Sequence, residues 1–208
     1  MLFDVLNIDY FIKKQQILKK INFHFDKLEH QLILGSSGCG KTTLLNLMAG
    51  LIRPTTGEIS FKEKIYSELS QIEIDQLRAD NFGFIFQKLH LIDYLTVEQN
   101  IAIIQQNLDN KIIIDLIDSL GLSAKRKRLV RELSFGEAQR VAIARGLANQ
   151  PKVVFADEPT SALDNKNTKN VMDLILSYAK KLKITLIVCT HDERIKHYFT
   201  NSMDLSDE

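Results

Sequence analysis

Apolar residues recur at two different spacings along this chain, and each spacing predicts a different kind of element. Over residues 3–8 and 17–25 they alternate with polar residues. A period of two is typical of half-buried strands, and two such strands in succession favour an antiparallel pair. Between them lies a polar segment, residues 9–14, that we interpret as a turn holding two aromatic residues, Tyr10 and Phe11.

Further along the chain, short continuous apolar runs alternate with segments of helical spacing. The runs at residues 31–34, 82–86, 152–158 and 184–190 predict buried strands, the last being the final strand of the chain. Helices are predicted at residues 44–49, 112–120, 133–147 and 166–181. Strands that alternate with helices are typical of an α/β fold with a parallel sheet.

The segment from residue 88 to residue 140 is helical in character, and we interpret it as an inserted α-helical subdomain of a single domain. Residues 1–87 and 141–208 would then form the core. Thr96 and Gln99 fit a capping box at the start of a helix in this segment. The basic run at 125–128 is interpreted as a solvated helix face rather than a phosphate contact. Residues 62–79, before this segment, are expected to be connecting structure with one short helix.

Composition limits the classes of protein to which the chain belongs. With 208 residues, 45% of them hydrophobic, it is long enough to bury one sizeable core. A formal net charge of +1 gives no electrostatic reason to expect a nucleic-acid partner. No apolar run reaches the ~18 to 20 residues that a membrane-spanning helix needs, so we expect a cytoplasmic protein. Its two cysteines, Cys39 and Cys189, are expected to be reduced thiols.

A glycine-rich loop between an apolar run and a helical segment carries the strongest chemical signal. It matches G-x-x-x-x-G-K-S/T, in which backbone N–H groups and a helix N-terminus surround a polyphosphate. A plain Gly/Ser turn would not require Lys and Thr directly after its last glycine. Lys41 is predicted to bind the β- and γ-phosphates, and the Thr42 hydroxyl to coordinate Mg²⁺. The loop consists of Gly35, Ser36, Ser37, Gly38, Cys39, Gly40, Lys41, Thr42 and Thr43.

Polar side chains follow the other buried strands at their carboxyl ends, where α/β folds place their ligands. Asp157 and Glu158 end one strand; we predict that Asp157 holds Mg²⁺ and that Glu158 activates the attacking water. His191 ends the last strand and is predicted to contact the γ-phosphate or that water. Gln87 is either a magnesium ligand, a residue that orients water, or a plain polar strand end.

Two further features allow a functional and a structural interpretation. Ser134 precedes a helix, so its side chain either caps that helix or joins the amide of Gly136 in a second anion site. The aromatic pair either stacks on an adenine ring or closes a hairpin. Nothing in the spacing chooses between Tyr10 and Phe11.

Taken together, these stretches resemble the ATP-binding subunit of ABC transporters over essentially the whole chain. The loop from Gly35 to Thr43 resembles the Walker A loop, and Val153 to Glu158 resembles the Walker B strand with its catalytic glutamate. Gln87 matches the Q-loop and His191 the switch histidine. Residues 133–139 resemble the ABC family motif, and Ser161 to Asp164 the D-loop.

This resemblance implies a P-loop NTPase (RecA-like) core with a parallel sheet, an N-terminal antiparallel β subdomain and the inserted helical subdomain. It also implies ATP and Mg²⁺ as ligands. Ser134, Gly136 and Glu137 would contact the nucleotide held by Lys41 of a second chain, so hydrolysis would need a head-to-tail pair. Phe135 and Glu137 depart from the usual Leu-Ser-Gly-Gly-Gln, in which a glycine and a glutamine stand.

The resemblance further implies a separate transmembrane permease, contacted near Gln87 and residues 88–94, which would hold the chain on the inner face of the membrane. The patterns at 83–87 and 95–101 look most like the ATPases of lipoprotein-release, macrolide-export and peptide-antibiotic-resistance transporters. These serve export or extraction of a lipophilic or peptide substrate.

The sequence argues against three alternatives to the transporter interpretation. Soluble ABC-type ATPases of translation or DNA repair usually carry two nucleotide domains or a long coiled coil, and this sequence has neither. A GTP-dependent switch would need Asn-Lys-x-Asp to bind guanine, and residues 165–168 lack the aspartate. Glu158 and His191 argue against an inactive nucleotide-binding module.

Overall fold

A computed structural model describes residues 1–104, 110–161 and 163–207, and these form nine strands and six α-helices. The strands are β1 (Phe3–Ile12), β2 (Gln15–Phe25), β3 (Gln31–Leu34), β4 (Thr56–Phe61), β5 (Lys64–Ile65), β6 (Phe82–Ile85), β7 (Val153–Asp157), β8 (Thr185–Thr190) and β9 (Asn201–Asp204). The helices are α1 (Lys41–Met48), α2 (Gln71–Asn81), α3 (Val97–Ala102), α4 (Asn110–Ser119), α5 (Phe135–Leu147) and α6 (Asn165–Leu182).

The first sheet is antiparallel, as the alternating pattern predicted, with strand order β2-β1-β4-β5. The predicted turn at residues 9–14 is wrong in its bounds, because β1 continues to Ile12 and only Lys13 and Lys14 turn the chain. Lys13 takes a positive φ of 57°, a conformation that two-residue hairpin turns require. The aromatic residues Tyr10 and Phe11 therefore lie in a strand.

The second sheet is parallel throughout, with strand order β6-β7-β8-β3-β9. This confirms the predicted α/β fold and brings the carboxyl ends of β3, β7 and β8 to one edge. The expectation that Ile184–Thr190 is the final strand is wrong, because β9 pairs with β3. Residues of β9 alternate between half-buried and exposed and are mostly polar, so this edge strand lacks the apolar run by which the others were found.

Two clusters of buried side chains lie on opposite faces of the parallel sheet. Successive residues of a strand point to opposite faces, and β7 shows this clearly. Val153 and Phe155 join the cluster under the antiparallel sheet and α1, whereas Val154 and Ala156 join the cluster under α3 to α6. The strand that carries Asp157 at its end is thus held on both sides.

Helix α2 is longer than the one short helix expected between residues 62 and 79. Its capping box is complete, since the Ser70 hydroxyl accepts from the Glu73 N–H and the Glu73 carboxylate accepts from the Ser70 N–H. Only Ile74 and Leu77 of this helix are buried. Such a narrow apolar stripe is a weak signal in the sequence.

The segment interpreted as a helical subdomain contains α3, α4 and the beginning of α5. Thr96 and Gln99 form the predicted capping box of α3. Helix α5 crosses the proposed boundary at residue 140, and most of the buried side chains of all three helices belong to one cluster with the sheet. Residues 105–109 of this segment, like Ala162 in the predicted D-loop, lie outside the described residues.

The basic run at 125–128 does not lie on a helix face, so that part of the interpretation is wrong: it starts at the end of a short 3₁₀ turn, and Lys127 and Arg128 are exposed. Lys125 forms an ion pair with Glu137, and Arg126 and Lys127 both pair with Glu98. These pairs fasten the turn after α4 to the first turns of α3 and α5. No helix in the described part of the chain is long and apolar enough to cross a membrane.

Candidate nucleotide site

The glycine loop connects β3 to α1 at the carboxyl edge of the parallel sheet, as predicted. Gly38 has a φ of 86° and Gly40, the N-cap of α1, a φ of 102°. These conformations are strained for residues with a side chain. A Cβ at Gly40 would also lie 2.7 Å from Leu18 Cδ2 and 3.1 Å from the Ile17 carbonyl oxygen. The loop therefore depends on glycine at this position.

Lys41, the first residue of α1, is buried yet positively charged. Its ammonium donates to the carbonyl oxygens of Gly35 at 2.7 Å and Ser36 at 2.9 Å, and it lies 3.7 Å from Glu158 Oε1. A buried cation needs such partners. All three are acceptors at the mouth of the loop, so an incoming phosphate would compete with them for the same ammonium.

Thr42 and Asp157 form a site suited to a hard cation. The Thr42 hydroxyl donates to Asp157 Oδ2 at 2.9 Å, while Asp157 Oδ1 is buried without a hydrogen-bond partner. Burial raises the pKa of the Asp157 carboxyl above its usual value, because the charged form is poorly solvated. A cation at Oδ1 would relieve that cost, and oxygen ligands of this kind suit Mg²⁺.

The protein offers few metal ligands at this site, the Thr42 hydroxyl and the Asp157 carboxylate. Among the described residues no group of three or more His, Cys, Asp or Glu side chains is placed to bind a metal. Mg²⁺ commonly takes one or two protein ligands and completes its shell with waters and substrate phosphates. The residues present fit that mode of binding.

Glu158 lies between the loop and the last long strand, and three hydrogen bonds hold its carboxylate. Oε2 accepts from the Thr190 hydroxyl at 2.7 Å. Oε1 accepts from the His191 backbone N–H at 3.1 Å and lies 2.8 Å from His191 Nδ1. An ionised carboxylate only accepts, so we assign the proton to Nδ1. The structure thus brings Lys41, Glu158 and His191 together, as the strand ends predicted.

Gln87 lies just beyond β6, exposed, and is linked to the loop that follows Glu158. Its Nε2 donates to Ser161 Oγ at 3.1 Å, and Ser161 Oγ donates to the Glu158 carbonyl oxygen at 3.3 Å. Among the described residues no hydrogen bond joins Gln87 to Thr42 or Asp157. Its roles as magnesium ligand and in catalysis stay predictions.

Ser134 and Gly136 lie at the exposed start of α5. They border a groove of about 580 Å³ between α5 and α6, in which Phe135 is 57% exposed. Glu137 accepts from the Ser134 N–H at 3.0 Å and pairs with Lys125, which lowers the pKa of its carboxyl to about 2. The predicted contact of Glu137 with a nucleotide would compete with these bonds and stays untested.

Tyr10 and Phe11 differ in exposure because neighbours in a strand face opposite sides. Tyr10 is half-buried, lies opposite Leu18 of β2 and packs against the core under the antiparallel sheet. Phe11 is 39% exposed. The structure leaves the Phe11 ring the more accessible of the two, and adenine stacking by either residue stays a prediction.

The two cysteines are free thiols, as predicted. Cys39 is half-buried in the glycine loop. Cys189 is fully buried in β8, where its Sγ lies 3.7 Å from the Lys41 carbonyl oxygen, and burial raises the pKa of its thiol.

Several polar residues that support the site were missed in the sequence. Thr190 binds Glu158 directly and accepts the Asp192 N–H at 2.9 Å. The Asp192 carboxylate accepts from the Thr160 hydroxyl at 2.9 Å and from Arg194 at 2.8 Å. The available signal for these residues was the run of three polar residues, Thr190 to Asp192, at the end of an apolar strand.

Comparisons with known proteins agree with this geometry. A family model described as ABC transporter matches residues 18–161. The chain is 36% identical to a putative hemin import ATP-binding protein, HrtA, of Staphylococcus haemolyticus, over 92% of this chain and 89% of that one. It is 38% identical to the lipoprotein-releasing system ATP-binding protein LolD of Wigglesworthia glossinidia brevipalpis, over 93% and 87%. A solved ATP-binding cassette, dimeric in a post-hydrolysis state bound to ADP and Pi, superposes with a TM-score of 0.86 and 30% identity, over 99% of this chain and 95% of that one.

Proposed function

Because the chain belongs to the family of ABC transporter ATP-binding proteins and is an ABC ATPase domain, we propose that it drives a transporter whose permease is a separate polypeptide. Two copies would close around ATP and separate after hydrolysis. The observation that carries the proposal is the meeting of Lys41, Asp157, Glu158 and His191 at one edge of the sheet.

Each of these side chains has a task in phosphoryl transfer to water. Lys41 leaves the loop carbonyls and binds the β- and γ-phosphates, together with the N–H groups of the loop. Glu158 accepts a proton from the attacking water, which lies in line with the bond that breaks. His191, hydrogen-bonded to that carboxylate, orients it and contacts the γ-phosphate. Phe11 or Tyr10 stacks on the adenine ring.

Thr42 and Asp157 would hold Mg²⁺, with Gln87 reaching it through its amide oxygen. The fit is supported by the buried, unpartnered Asp157 Oδ1. When bound, Mg²⁺ supplies charge neutralisation of the phosphate oxygens.

The second half of the site comes from the partner copy. The exposed Ser134 hydroxyl and the Gly136 N–H lie at the N-terminus of α5, whose dipole favours an anion. No hydrogen bond among the described residues connects them to the chain's own glycine loop. In a head-to-tail pair they face the γ-phosphate held by Lys41 of the other chain.

The permease is proposed to dock in a groove of about 550 Å³ between β6, α2, α3 and α5. Most of its polar lining residues are already engaged: Arg78 binds Asp75, Arg145 donates to the carbonyl oxygen of Leu89, and Asn149 donates to that of Ala79. What the groove offers a partner is apolar, including exposed Ile103 and Ile104. A short amphipathic segment of the permease fits that chemistry. The permease would hold the chain on the inner face of the membrane. The docking groove lies at the junction of the proposed core (1–87, 141–208) and the proposed helical subdomain (88–140).

We propose a lipophilic or peptide cargo that is extracted or exported. The names of two relatives support a lipophilic cargo, a lipoprotein in one and hemin in the other; the first is named for release and supports the direction, whereas the second is named for import.

The docking proposal is tested by purifying the tagged chain from detergent extracts of its own cells and identifying bound proteins by mass spectrometry. We expect a protein with several spanning segments to bind the unaltered chain and an Ile72→Glu control, which changes an exposed residue outside the groove. Ile104→Glu should lose that protein while keeping ATP hydrolysis. Binding unaffected by Ile104→Glu would refute the groove, and strong preference for GTP over ATP would refute the function.

A further inference from the structure

The glycine loop has a neighbour that the proposed mechanism does not use. Strands β3 and β9 run parallel in register, with Leu34 opposite Asp204, and both end at that pair. The glycine loop leaves one strand and a 3₁₀ turn, Leu205–Asp207, leaves the other. The two segments therefore begin side by side, and Ser36 and Ser206 each lie two residues beyond their strand.

A direct hydrogen bond joins these two serines. The Ser36 N–H donates to Ser206 Oγ at 3.0 Å. Ser206 is itself oriented, because its own N–H donates to Asp204 Oδ1 at 2.8 Å. Leu205, between Asp204 and Ser206, is 5% exposed and belongs to the core cluster under the antiparallel sheet. The hydroxyl is thus presented from an anchored turn.

The turn and the loop are packed closely at Gly35. A Cβ at this position would lie 3.3 Å from Ser206 Oγ, 3.6 Å from Leu205 Cβ and 2.5 Å from Cys39 Sγ. A side chain at residue 35 would clash with Cys39 inside the loop and would lie close to Ser206 in the turn. The loop and the turn are therefore in van der Waals contact at Gly35 as well as hydrogen-bonded at Ser36.

The same two loop residues are held from the other side by Lys41, whose ammonium binds the carbonyl oxygens of Gly35 and Ser36. In the proposed function, on which this inference rests, that ammonium moves to the phosphates. The Ser36 carbonyl oxygen then still accepts from the Cys39 N–H at 3.3 Å, whereas the Ser36 N–H has Ser206 as its partner. We infer that Ser206 is a positioning residue that holds the start of the glycine loop open for the nucleotide's phosphates.

The test compares ATP affinity in Ser206→Ala with three other variants. Loss of one hydrogen bond that orders the loop should raise the Kd for ATP by about threefold to tenfold. The kcat at saturating ATP should stay unchanged, because Ser206 touches no reacting atom. Ser206→Thr keeps the hydroxyl and should restore affinity. Ser202→Ala, at an exposed position on β9, is the matched control and should bind as the unaltered chain.

The outcomes separate this inference from the proposed site. Lys41→Ala should lose ATP binding; if it does not, the phosphate site itself is refuted. If Lys41→Ala loses binding while Ser206→Ala binds normally, only the role of Ser206 is refuted. An equal rise in the Kd for ATP in Ser206→Ala and Ser202→Ala would also refute the role of Ser206, because the change would then result from a general disturbance of β9.

A second measurement needs no variant to fold. In the unaltered chain, the Ser36 amide should exchange with solvent more slowly than the Ser37 amide, for which the described residues provide no acceptor. Exchange followed by NMR in the absence of nucleotide tests this. Equal exchange rates for the two amides would overturn the inference.

Discussion

Replacing Glu158 with glutamine removes the proposed general base and leaves its surroundings nearly intact. The glutamine oxygen can stand in for Oε1 and accept both hydrogen bonds from His191. Its amide group then faces Thr190 Oγ1, which can turn its hydroxyl and accept. The buried Thr190 hydroxyl then loses Oε2 as its acceptor and Lys41 loses its ion pair with this side chain, so we expect the free energy of unfolding to fall by about 1 to 3 kcal/mol.

The effect on hydrolysis is larger than the effect on folding. A positioned general base contributes about 10²- to 10⁴-fold to a rate. Glu158→Gln should therefore slow phosphate release by that factor, which corresponds to about 2.7 to 5.5 kcal/mol in the barrier. Lys41 and the loop are unchanged, so ATP still binds. Two copies closed around ATP should then accumulate, because the step that separates them is blocked.

Steady-state phosphate release and the molecular mass in the presence of ATP and Mg²⁺ measure both effects. Glu68→Gln, an exposed carboxylate outside the site, is the control and should behave as the unaltered chain. A Glu158→Gln protein that turns over ATP within about threefold of the unaltered rate would refute the general-base assignment. Loss of ATP binding in this variant would contradict the claim that Glu158 acts in hydrolysis and is not needed to bind ATP.

Three further substitutions test other parts of the structure. Thr190→Val removes a donor to Glu158 and should lower kcat about tenfold at saturating ATP, whereas Thr190→Ser should keep it; a fully active valine variant would contradict this. Phe135→Ala removes an aromatic ring that is 57% exposed in the single chain and that the proposed pair would bury between copies. In the Glu158→Gln background, the dissociation constant of the ATP-bound pair, measured by sedimentation, should rise about tenfold or more. Ile72→Ala, the control, should leave it unchanged. Arg126 and Lys127 lower the pKa of Glu98 to about 2 from 4.5, so this pairing stabilises the fold above pH 4.5 and is lost as the pH falls through about 2. Because both cations are partly exposed to solvent, Glu98→Gln should lower the free energy of unfolding by only about 1 to 2 kcal/mol at pH 7, as measured by urea titration. The difference between the two proteins should shrink as the pH falls toward 2, and a constant difference would contradict the assignment.

The glycine loop and the strand ends could be predicted because their signals are local or follow from parallel strand direction. The loop's shape depends on glycines at Gly38 and Gly40 and on the helix that begins at Lys41. Glu158 and His191 follow apolar strands, and parallel strands bring such ends to one edge. One buried run of four to seven residues at each strand was sufficient.

The features that were missed depend on contacts between distant residues. The partners of the basic run, Glu98 and Glu137, lie in helices before and after it, so charge pattern alone indicated a solvated face. Strand β9 is polar and is recognisable only by its pairing with β3. Thr190 is one more residue of an apolar strand until the fold brings it to Glu158. In each case the sequence shows the residue type but not the partner.

The central claim is that each catalytic site is built from the glycine loop of one chain and the start of α5 of another. Mixing two inactive variants, Lys41→Ala and Ser134→Ala, tests it most directly. A mixed pair holds one site with both an intact Lys41 and an intact Ser134, so the mixture is predicted to hydrolyse ATP faster than the sum of the two proteins assayed separately. A mixture no faster than that sum would contradict the shared site.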